Sequence, residues 1–447
     1  MNITELEKIT EQIKKYQLED EIIDVKGWLR NLNEKQIGNF LSLEIYPTEQ
    51  IFEYKFLLVN EIALNSDYYL EDVKLINNTK SRETAFYLSR MFFNKDSLES
   101  KHHREDMNLV ANAKDDEIAR CLSNVAMDKK SLESKHHRED MDLIANAKNV
   151  RIAECLRKVA LEENSLKSKH HREDMNLIAQ AKNGKIAECL MIVTLSEASL
   201  KSKHHREDMN LIANAKDDEI VSCLSDVSDD KNSLKSKHHK EDMNLIEHAK
   251  NNRIARYLSV IAMDKNSLKS KHHREDMNLI ANAKDDAIAW YLTMMAMNKE
   301  SLRSKHHRKD MYLVAHVKNN EIVSCLSNVS DDKNSLKSKH HREDMNLIAN
   351  AKDDAIARYL SAVAMDKNSL KSEYHREYMK RLANAKDDMD VKIILNNIEN
   401  QREPENNYIT FQERIDAIHQ NAIEYTDGDT TKELDDSVFT LKQIGRK

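Results

Sequence analysis

The string Ser-Lys-His-His-Arg-Glu-Asp-Met recurs along the chain at a constant spacing of 34 residues, without insertion or deletion. Its eight copies, some with one residue changed, begin at Ser100, Ser134, Ser168, Ser202, Ser236, Ser270, Ser304 and Ser338. A fixed period of this length is typical of stacked-repeat proteins, in which each repeat buries its apolar face against its neighbours. The sequence therefore predicts a repeat array whose paired histidines are one pair copied many times.

Within one repeat, residues 100–133, apolar residues recur at helical spacing in two segments. The first segment, residues 102–114, follows Ser100, which is a good N-cap residue. A short polar turn leads to the second segment, residues 116–127, which has a clear apolar stripe. Residues 128–133 are expected to be a linker. The pattern predicts an all-α fold, an α-solenoid of tandem 34-residue helix-turn-helix repeats with helical caps.

The period divides the chain into three regions. Residues 1–65 are expected to form an N-terminal helical cap, and residues 66–405 to form ten tandem repeats, of which the first and last are degenerate. Residues 406–447 are expected to hold one more helix and a polar tail, because Thr-Phe-Gln-Glu at 410–413 fits a capping box.

Composition limits the classes of fold and partner. Charged residues make up 33% of the chain and aromatic residues 5%, which suits short amphipathic helices and disfavours a β-sheet domain. The net charge of −7 comes from 70 basic and 77 acidic residues, so neither nucleic acid nor an anionic membrane is an expected partner. The sequence shows no secretory signal pattern and no apolar run long enough to span a bilayer, which favours a cytoplasmic protein.

The cysteines share one position of the repeat. They are Cys121, Cys155, Cys189, Cys223 and Cys325, and three other repeats carry Tyr257, Tyr291 and Tyr359 there. A position that accepts either a thiol or a tyrosine is a packing position, so we expect buried, reduced cysteines rather than disulfides or metal ligands.

The paired histidines allow two interpretations. In one, the leading histidine of each pair binds a divalent metal ion with an aspartate one turn further on. These histidines are His102, His136, His170, His204, His238, His272, His306 and His340. Against metal, adjacent residues on a helix point about 100° apart, and Tyr68, Tyr69 and Tyr374 replace histidines in the end repeats. We therefore expect structural histidines and no cofactor, with a metal- or pH-responsive histidine array as the alternative.

Two expectations concern the junctions between repeats. Leu109 and its copies are expected to be core residues that face the following repeat, because the last repeat has Arg381 there and no repeat follows it. The basic residues 101–104 crowd the N-terminus of a helix, where the helix dipole disfavours cations. We therefore expect them to cap the C-terminus of the preceding helix.

The second helices differ from repeat to repeat, whereas the first helices are nearly invariant. The varied positions flank the apolar stripe, so we expect them to be exposed. The candidate partner-binding residues are Arg120, Glu154, Glu188, Arg256, Trp290, Met294 and Arg358. Trp290, with Thr293 and Met294 beside it, is the expected anchor. This pattern favours a protein-protein interaction scaffold, although neutral drift at unconstrained positions would give the same variation.

The helix-turn-helix period resembles that of tetratricopeptide arrays without their Trp, Gly, Tyr, Ala and Pro landmarks, so only the architecture carries over. The turn dipeptides at 183–184, 251–252 and 319–320 resemble the base-reading dipeptides of TAL-effector-type DNA binders, which implies nucleic acid as a third alternative. Five repeats have Asp-Asp there, which would repel phosphates. No enzyme is expected, because catalysis needs one asymmetric set of groups and every cluster here is copied. The expected partner is an unidentified protein, with no nucleic acid and no membrane.

Overall fold

The computed structural model describes residues 3–16, 18, 22, 25–42, 58–79, 81–386 and 388–400. Every regular element in these ranges is a helix, and the helices recur with the period of the sequence, which confirms the all-α solenoid prediction. The chain divides into two compact units, Met1–Asp229 and Asp230–Lys447. The C-terminal helix and tail predicted for 406–447, with the capping box at 410–413, lie outside the described residues.

Each repeat that is described in full contains three helices rather than the two expected from the sequence. In the repeat that begins at Ser100 they are His103–Ala111, Asp116–Ala126 and Lys129–Glu133. The third helix replaces the linker expected at 128–133. It forms because the Asp128 carboxylate accepts the Ser131 N–H at 2.8 Å and thereby caps the helix.

The same three helices recur through the described repeats. The first helices are Tyr69–Asn78, His103–Ala111, His137–Ala145, His171–Gln180, His205–Asn214, His239–Glu247, His273–Ala281, His307–His316, His341–Ala349 and His375–Ala383. The second helices are Arg82–Phe93, Asp116–Ala126, Val150–Ala160, Gly184–Leu195, Asp218–Asp229, Asn252–Met263, Asp286–Met297, Asn320–Asp331, Asp354–Met365 and Asp388–Asn400. The third helices are Lys95–Glu99, Lys129–Glu133, Glu163–Leu166, Glu197–Leu200, Lys231–Lys235, Lys265–Lys269, Lys299–Arg303, Lys333–Lys337 and Lys367–Lys371.

Among the described residues, four helices precede the repeats in the N-terminal unit. They are Ile3–Lys15, Val25–Asn31, Glu34–Leu41 and Glu61–Leu64. Trp28 fixes this region, since its indole N–H donates to the Val59 carbonyl at 3.1 Å and its ring meets Phe40 edge-on. None of the helices in the described ranges is long and apolar enough to cross a membrane.

The first helix of the repeat at 100–133 begins one residue later than predicted and ends at Ala111. His102 is the N-cap residue and makes no side-chain cap hydrogen bond. Ser100, the predicted cap, instead accepts the His102 N–H at 3.1 Å in the turn before the helix. This turn therefore fixes the direction in which the two histidines leave the backbone.

The apolar core lies between first and second helices. Met107 and Val110 from the first helix, with Ile118, Leu122 and Val125 from the second, are fully buried. Burial of each such side chain contributes about 1.5–3 kcal/mol. Because one repeat offers only these few side chains, its stability depends on stacking against its neighbours within the unit.

Leu109 and its copies are not core residues, so that expectation was wrong. They are half-buried in the described repeats, and Arg381 at the equivalent position is exposed. The reason is their direction, because they line a surface groove between successive first helices, as Leu143 does beside Arg172. A charge at this position can reach solvent.

Removal of one whole repeat should leave a folded protein. Deletion of residues 134–167 joins equivalent positions, so every helix keeps a neighbour of the same kind. Deletion of residues 134–150 joins a third helix directly to a second helix and leaves apolar faces unmatched. We expect circular dichroism to show one cooperative melting transition for the first variant and a loss of helix for the second. Equal helicity and cooperativity in the two variants would contradict the repeat architecture.

Candidate functional site

The second histidine of each pair is fully buried and joins two successive repeats. In the clearest copy, His137 Nε2 lies 2.9 Å from Asp106 Oδ2, and His137 Nδ1 lies 3.1 Å from Ser131 Oγ. We assign a proton to Nε2, because the Asp106 carboxylate oxygen is the acceptor of this hydrogen bond. With the ring proton on Nε2, Nδ1 can accept the Ser131 hydroxyl. We call this Ser–His–Asp arrangement the histidine joint.

The histidine joint ties together three helices. Asp106 and Ser131 belong to the first and third helices of one repeat, and His137 opens the first helix of the next. In the N-terminal unit the other histidine–aspartate contacts are His103–Asp72, His171–Asp140 and His205–Asp174. In the C-terminal unit they are His273–Asp242, His307–Asp276, His341–Asp310 and His375–Asp344. These contacts confirm the structural interpretation of the buried histidines.

The end repeats replace members of the joint by tyrosine. Tyr69 takes the position of the buried histidine in the first repeat, and its hydroxyl donates to the Leu58 carbonyl at 3.1 Å. Tyr378 takes the position of the aspartate in the last repeat, where the sequence offers no further histidine motif. A buried carboxylate without its histidine would be costly, so tyrosine at this place fits an end of the array.

The histidine joint has the residue types of a hydrolase triad but not its geometry. In a triad, serine bonds Nε2 and aspartate bonds Nδ1, whereas here the two partners are exchanged. Both Ser131 and His137 are fully buried, so no substrate carbonyl could reach the hydroxyl. The arrangement can hold repeats together, and it presents no accessible nucleophile.

The leading histidine of each pair is half-buried and packs on the joint. The rings of His102 and His137 lie 5.0 Å apart at 38°. Burial, and then the neighbouring His137, lower the pKa of His102 from its usual value, while Asp106 opposes the shift. Tyr68 takes the same place in the first repeat, with its ring 5.4 Å from that of His103. A flat ring is therefore what this position requires.

The metal alternative rests on these leading histidines. Their pKa is lowered in the same way at His136, His170, His238, His272, His306 and His340. Within the described part of the chain, no group of three or more His, Cys, Asp or Glu residues is arranged to hold a metal ion.

An exposed ion pair accompanies most histidine joints. Arg138 reaches Glu105 of the preceding repeat at 2.7 Å. Equivalent pairs are Arg104–Glu71, Arg172–Glu139, Arg206–Glu173, Arg274–Glu241, Arg308–Glu275 and Arg376–Glu343. The expectation that residues 101–104 cap a preceding helix was therefore wrong for the arginine, which pairs with a glutamate of the first helix, and for His103, which pairs with Asp72.

The asparagines that resemble base-reading residues are engaged inside the array. Asn183, Asn251 and Asn319 each cap a second helix through the side-chain oxygen. Their side-chain nitrogens donate to an aspartate of the next repeat, in the pairs Asn183–Asp218, Asn251–Asp286 and Asn319–Asp354. The oxygen and the nitrogen of each side-chain amide are therefore both hydrogen-bonded within the array. These contacts account for asparagine at the turns without a nucleic-acid ligand.

The candidate partner-binding positions are less exposed than expected. The half-buried ones are Arg120, Glu154, Glu188, Arg256, Trp290 and Arg358. Arg120 bonds Glu154 of the next repeat at 3.0 Å, and Arg151 forms an ion pair with Glu188. Part of the variation at these positions therefore reflects pairing between neighbouring repeats.

The patch around Trp290 is smaller than predicted. Met294 is 38% exposed, and Trp290 packs edge-on against Tyr291. Thr293 was wrongly placed in the patch, since it is buried and its hydroxyl donates to the Ala289 carbonyl at 2.8 Å. Ile192, at the position equivalent to Met294, is 46% exposed. We call Trp290 and Met294, both in the C-terminal unit, the second-helix flank.

The cysteines are free and buried, as predicted. Burial raises the pKa of Cys155 to about 11 and that of Cys325 to about 12. A thiol with so high a pKa is protonated near neutral pH and is a poor nucleophile and metal ligand.

Sequence reasoning missed a groove along the first helices of the C-terminal unit. It has a volume of about 890 Å³ and is lined by Lys309, Tyr312, His316 and Arg342, among others. Three of these residues depart from the repeat consensus, which is the signal that could have revealed the groove.

No protein-family model matches the chain, and no curated protein matches its sequence.

The histidine joint predicts unequal effects of two adjacent substitutions. Asp174→Ala leaves the buried His205 without its acceptor and should cost about 1–3 kcal/mol of unfolding free energy. Glu173→Ala breaks only the exposed pair with Arg206 at the same junction and should cost about 0–1 kcal/mol. Urea unfolding of the full chain measures both values. Equal losses would contradict a special role for the joint.

The half-buried leading histidines predict acid sensitivity. Because folding lowers their pKa, the unfolded chain takes up protons below about pH 6.5 that the folded chain does not. Stability should therefore fall as the pH falls through this region. The control variant His136→Tyr/His170→Tyr keeps two rings, as Tyr68 does, and removes two titrating groups. Melting between about pH 7.5 and 5.5 should show a smaller loss for the variant. Identical losses would count against this assignment.

Proposed function

We propose that the protein is a non-enzymatic scaffold of the cytoplasm that binds another protein through the second-helix flank. The observation that carries this proposal is the exposure of the large apolar side chain of Met294 in the C-terminal unit. In the N-terminal unit, Ile192 at the equivalent repeat position is also exposed. Large apolar side chains that remain exposed beside one another are a frequent mark of a protein interface. Trp290 lies one turn before Met294 and extends the same surface.

Stacking and the proposed binding involve different residues of a repeat, which supports this proposal. Stacking is carried by the histidine joint and the buried apolar residues, which are nearly the same in every repeat. Positions outside that set can change without loss of the stack, so they are free to acquire a binding role. Free, buried thiols are compatible with a reducing compartment.

A second candidate function is a pH-responsive histidine array. The observation that favours it is the lowered pKa of the leading histidines, repeated along both units. Each leading histidine makes a small contribution of the same sign to the pH dependence of stability. Many copies in one array would therefore give a larger response to pH. The pH experiment above tests this function separately from partner binding.

Substitution of Trp290 tests the scaffold function. Trp290→Arg introduces the residue found at Arg256 and Arg358, and Met294→Asn introduces the residue found at Asn124 and Asn328. Both variants should melt like the wild type, with a change of at most about 1 kcal/mol. Quantitative affinity purification should show weaker capture of the partner by both.

Two results would contradict the proposal. A large loss of stability in Trp290→Arg would make Trp290 a core residue. Unchanged capture by both variants would remove the second-helix flank as the binding surface.

A further inference from the structure

The exposed arginine–glutamate pairing is interrupted once in the C-terminal unit. Arg308 pairs with Glu275 at 2.9 Å, and Arg376 pairs with Glu343 at 2.8 Å. At the junction between them, the glutamate position is occupied by Lys309, and Arg342 forms no ion pair with any described residue. Two cations therefore occupy the positions where the other printed junctions of this unit have a cation and an anion, and neither forms an ion pair within the described part.

The same helix, His307–His316, presents an aromatic side chain beside these cations. Tyr312 is 60% exposed and stands where most repeats have asparagine. It lies three residues after Lys309, on the same face of the helix. Its ring stacks on that of His316, with centroids 3.9 Å apart and planes at 27°. A tyrosine so exposed contributes little to the fold, and its orientation is fixed by the stacked histidine.

These residues line one groove. Its walls are the first helices His273–Ala281, His307–His316 and His341–Ala349, and its apolar floor includes Leu279, Leu313 and Met345. Its volume of about 890 Å³ exceeds the roughly 290 Å³ of the equivalent groove beside Glu139 and Arg172. In that smaller groove Glu139 and Arg172 are paired at 3.1 Å.

The carboxylates of the larger groove are already engaged. Glu275 is held by Arg308, and the buried Asp310 belongs to the histidine joint with His341. Lys309 and Arg342 are therefore an excess of positive charge, in a chain whose net charge is −7.

We propose that this groove binds an acidic segment of a partner protein that carries an aromatic or large apolar side chain among its carboxylates. Carboxylates of the segment pair with Lys309 and Arg342, and its apolar side chain packs on Tyr312. Three neighbouring first helices at spacings of about 10 Å give a groove about 20 Å long, enough for about six extended residues. The proposal rests on the scaffold function and adds the chemistry of a partner and a second surface.

Fluorescence anisotropy with the full chain tests the proposal. The probe is a labelled peptide of sequence Gly-Asp-Glu-Asp-Phe-Glu-Asp-Gly, and the control peptide has Asn and Gln in place of Asp and Glu. The wild type should bind the acidic peptide and not the neutral one. Lys309→Glu and Tyr312→Asn each restore the residue of neighbouring repeats, so they should fold, and each should weaken binding by about tenfold or more.

A variant designed to gain peptide binding at the smaller groove also tests the proposal. The smaller groove has Glu139, Asp142 and Asn146 at the positions of Lys309, Tyr312 and His316. The variant Glu139→Lys/Asp142→Tyr/Asn146→His, combined with Lys309→Glu, should recover binding of the acidic peptide.

The proposal is overturned if the wild type does not bind the acidic peptide, or if Lys309→Glu and Tyr312→Asn bind it as the wild type does. Tighter binding of a single-stranded oligonucleotide than of the peptide would also overturn it, in favour of a phosphate ligand. Failure here, with weaker partner capture by Trp290→Arg, would leave the scaffold function standing. If the peptide binds but Trp290→Arg captures the partner as well as the wild type does, the second-helix flank is not the binding surface.

Discussion

The stack within each unit depends on a buried hydrogen bond between a histidine of one repeat and an aspartate of the repeat before it. Apolar packing of Met, Leu, Ile and Ala drives the stacking but is not directional. The histidine joint is directional, because a shift of one residue would leave Asp106 and His137 buried without partners, at a cost of about 1–3 kcal/mol for each unpaired group. This penalty fits the constant period from Ser100 to Ser338, since each ring projects from its own first helix and must reach two helices of the preceding repeat.

The histidine joint also determines which positions of a repeat are constrained and which can vary. Ser131, His137 and Asp106 are fixed by their mutual contacts, and Tyr69 and Tyr378 take over at the ends where one partner is missing. Surface positions carry no such requirement. The second-helix flank has an exposed apolar side chain, and the groove around Tyr312 has an exposed aromatic ring beside basic side chains, so we propose binding at these surfaces and not at the copied clusters.

Much of the fold could be predicted from the sequence, because periodicity reports directly on helical faces. The first and second helices followed from spacing alone, and the structural role of the histidines followed from their replacement by Tyr68, Tyr69 and Tyr374 in the end repeats. The third helix was missed because five residues such as Lys129–Glu133 show no apolar period, and only the cap at Asp128 marks them. The partners of His137 were missed because Ser131 and Asp106 lie in another repeat, at separations that no local pattern links. Thr293 was misplaced because a helical stripe predicts the buried side of a helix but not how far a neighbouring helix extends the burial. Leu109 was misplaced because Arg381 shows only that a charge is tolerated at this position, and a position at a surface groove tolerates one without being core in the other repeats.

The protonation of the buried rings tests the account most directly. Two-bond nitrogen–hydrogen correlation spectra of the full chain, labelled with ¹⁵N-histidine and recorded near neutral pH, distinguish protonation at Nε2 from protonation at Nδ1. The account predicts that the buried histidines carry the proton on Nε2, in slow exchange with water, and that Asp174→Ala changes the spectrum of His205 most. Buried rings with the proton on Nδ1, or with Nε2 protons that exchange as fast as those of the exposed His316, would contradict it.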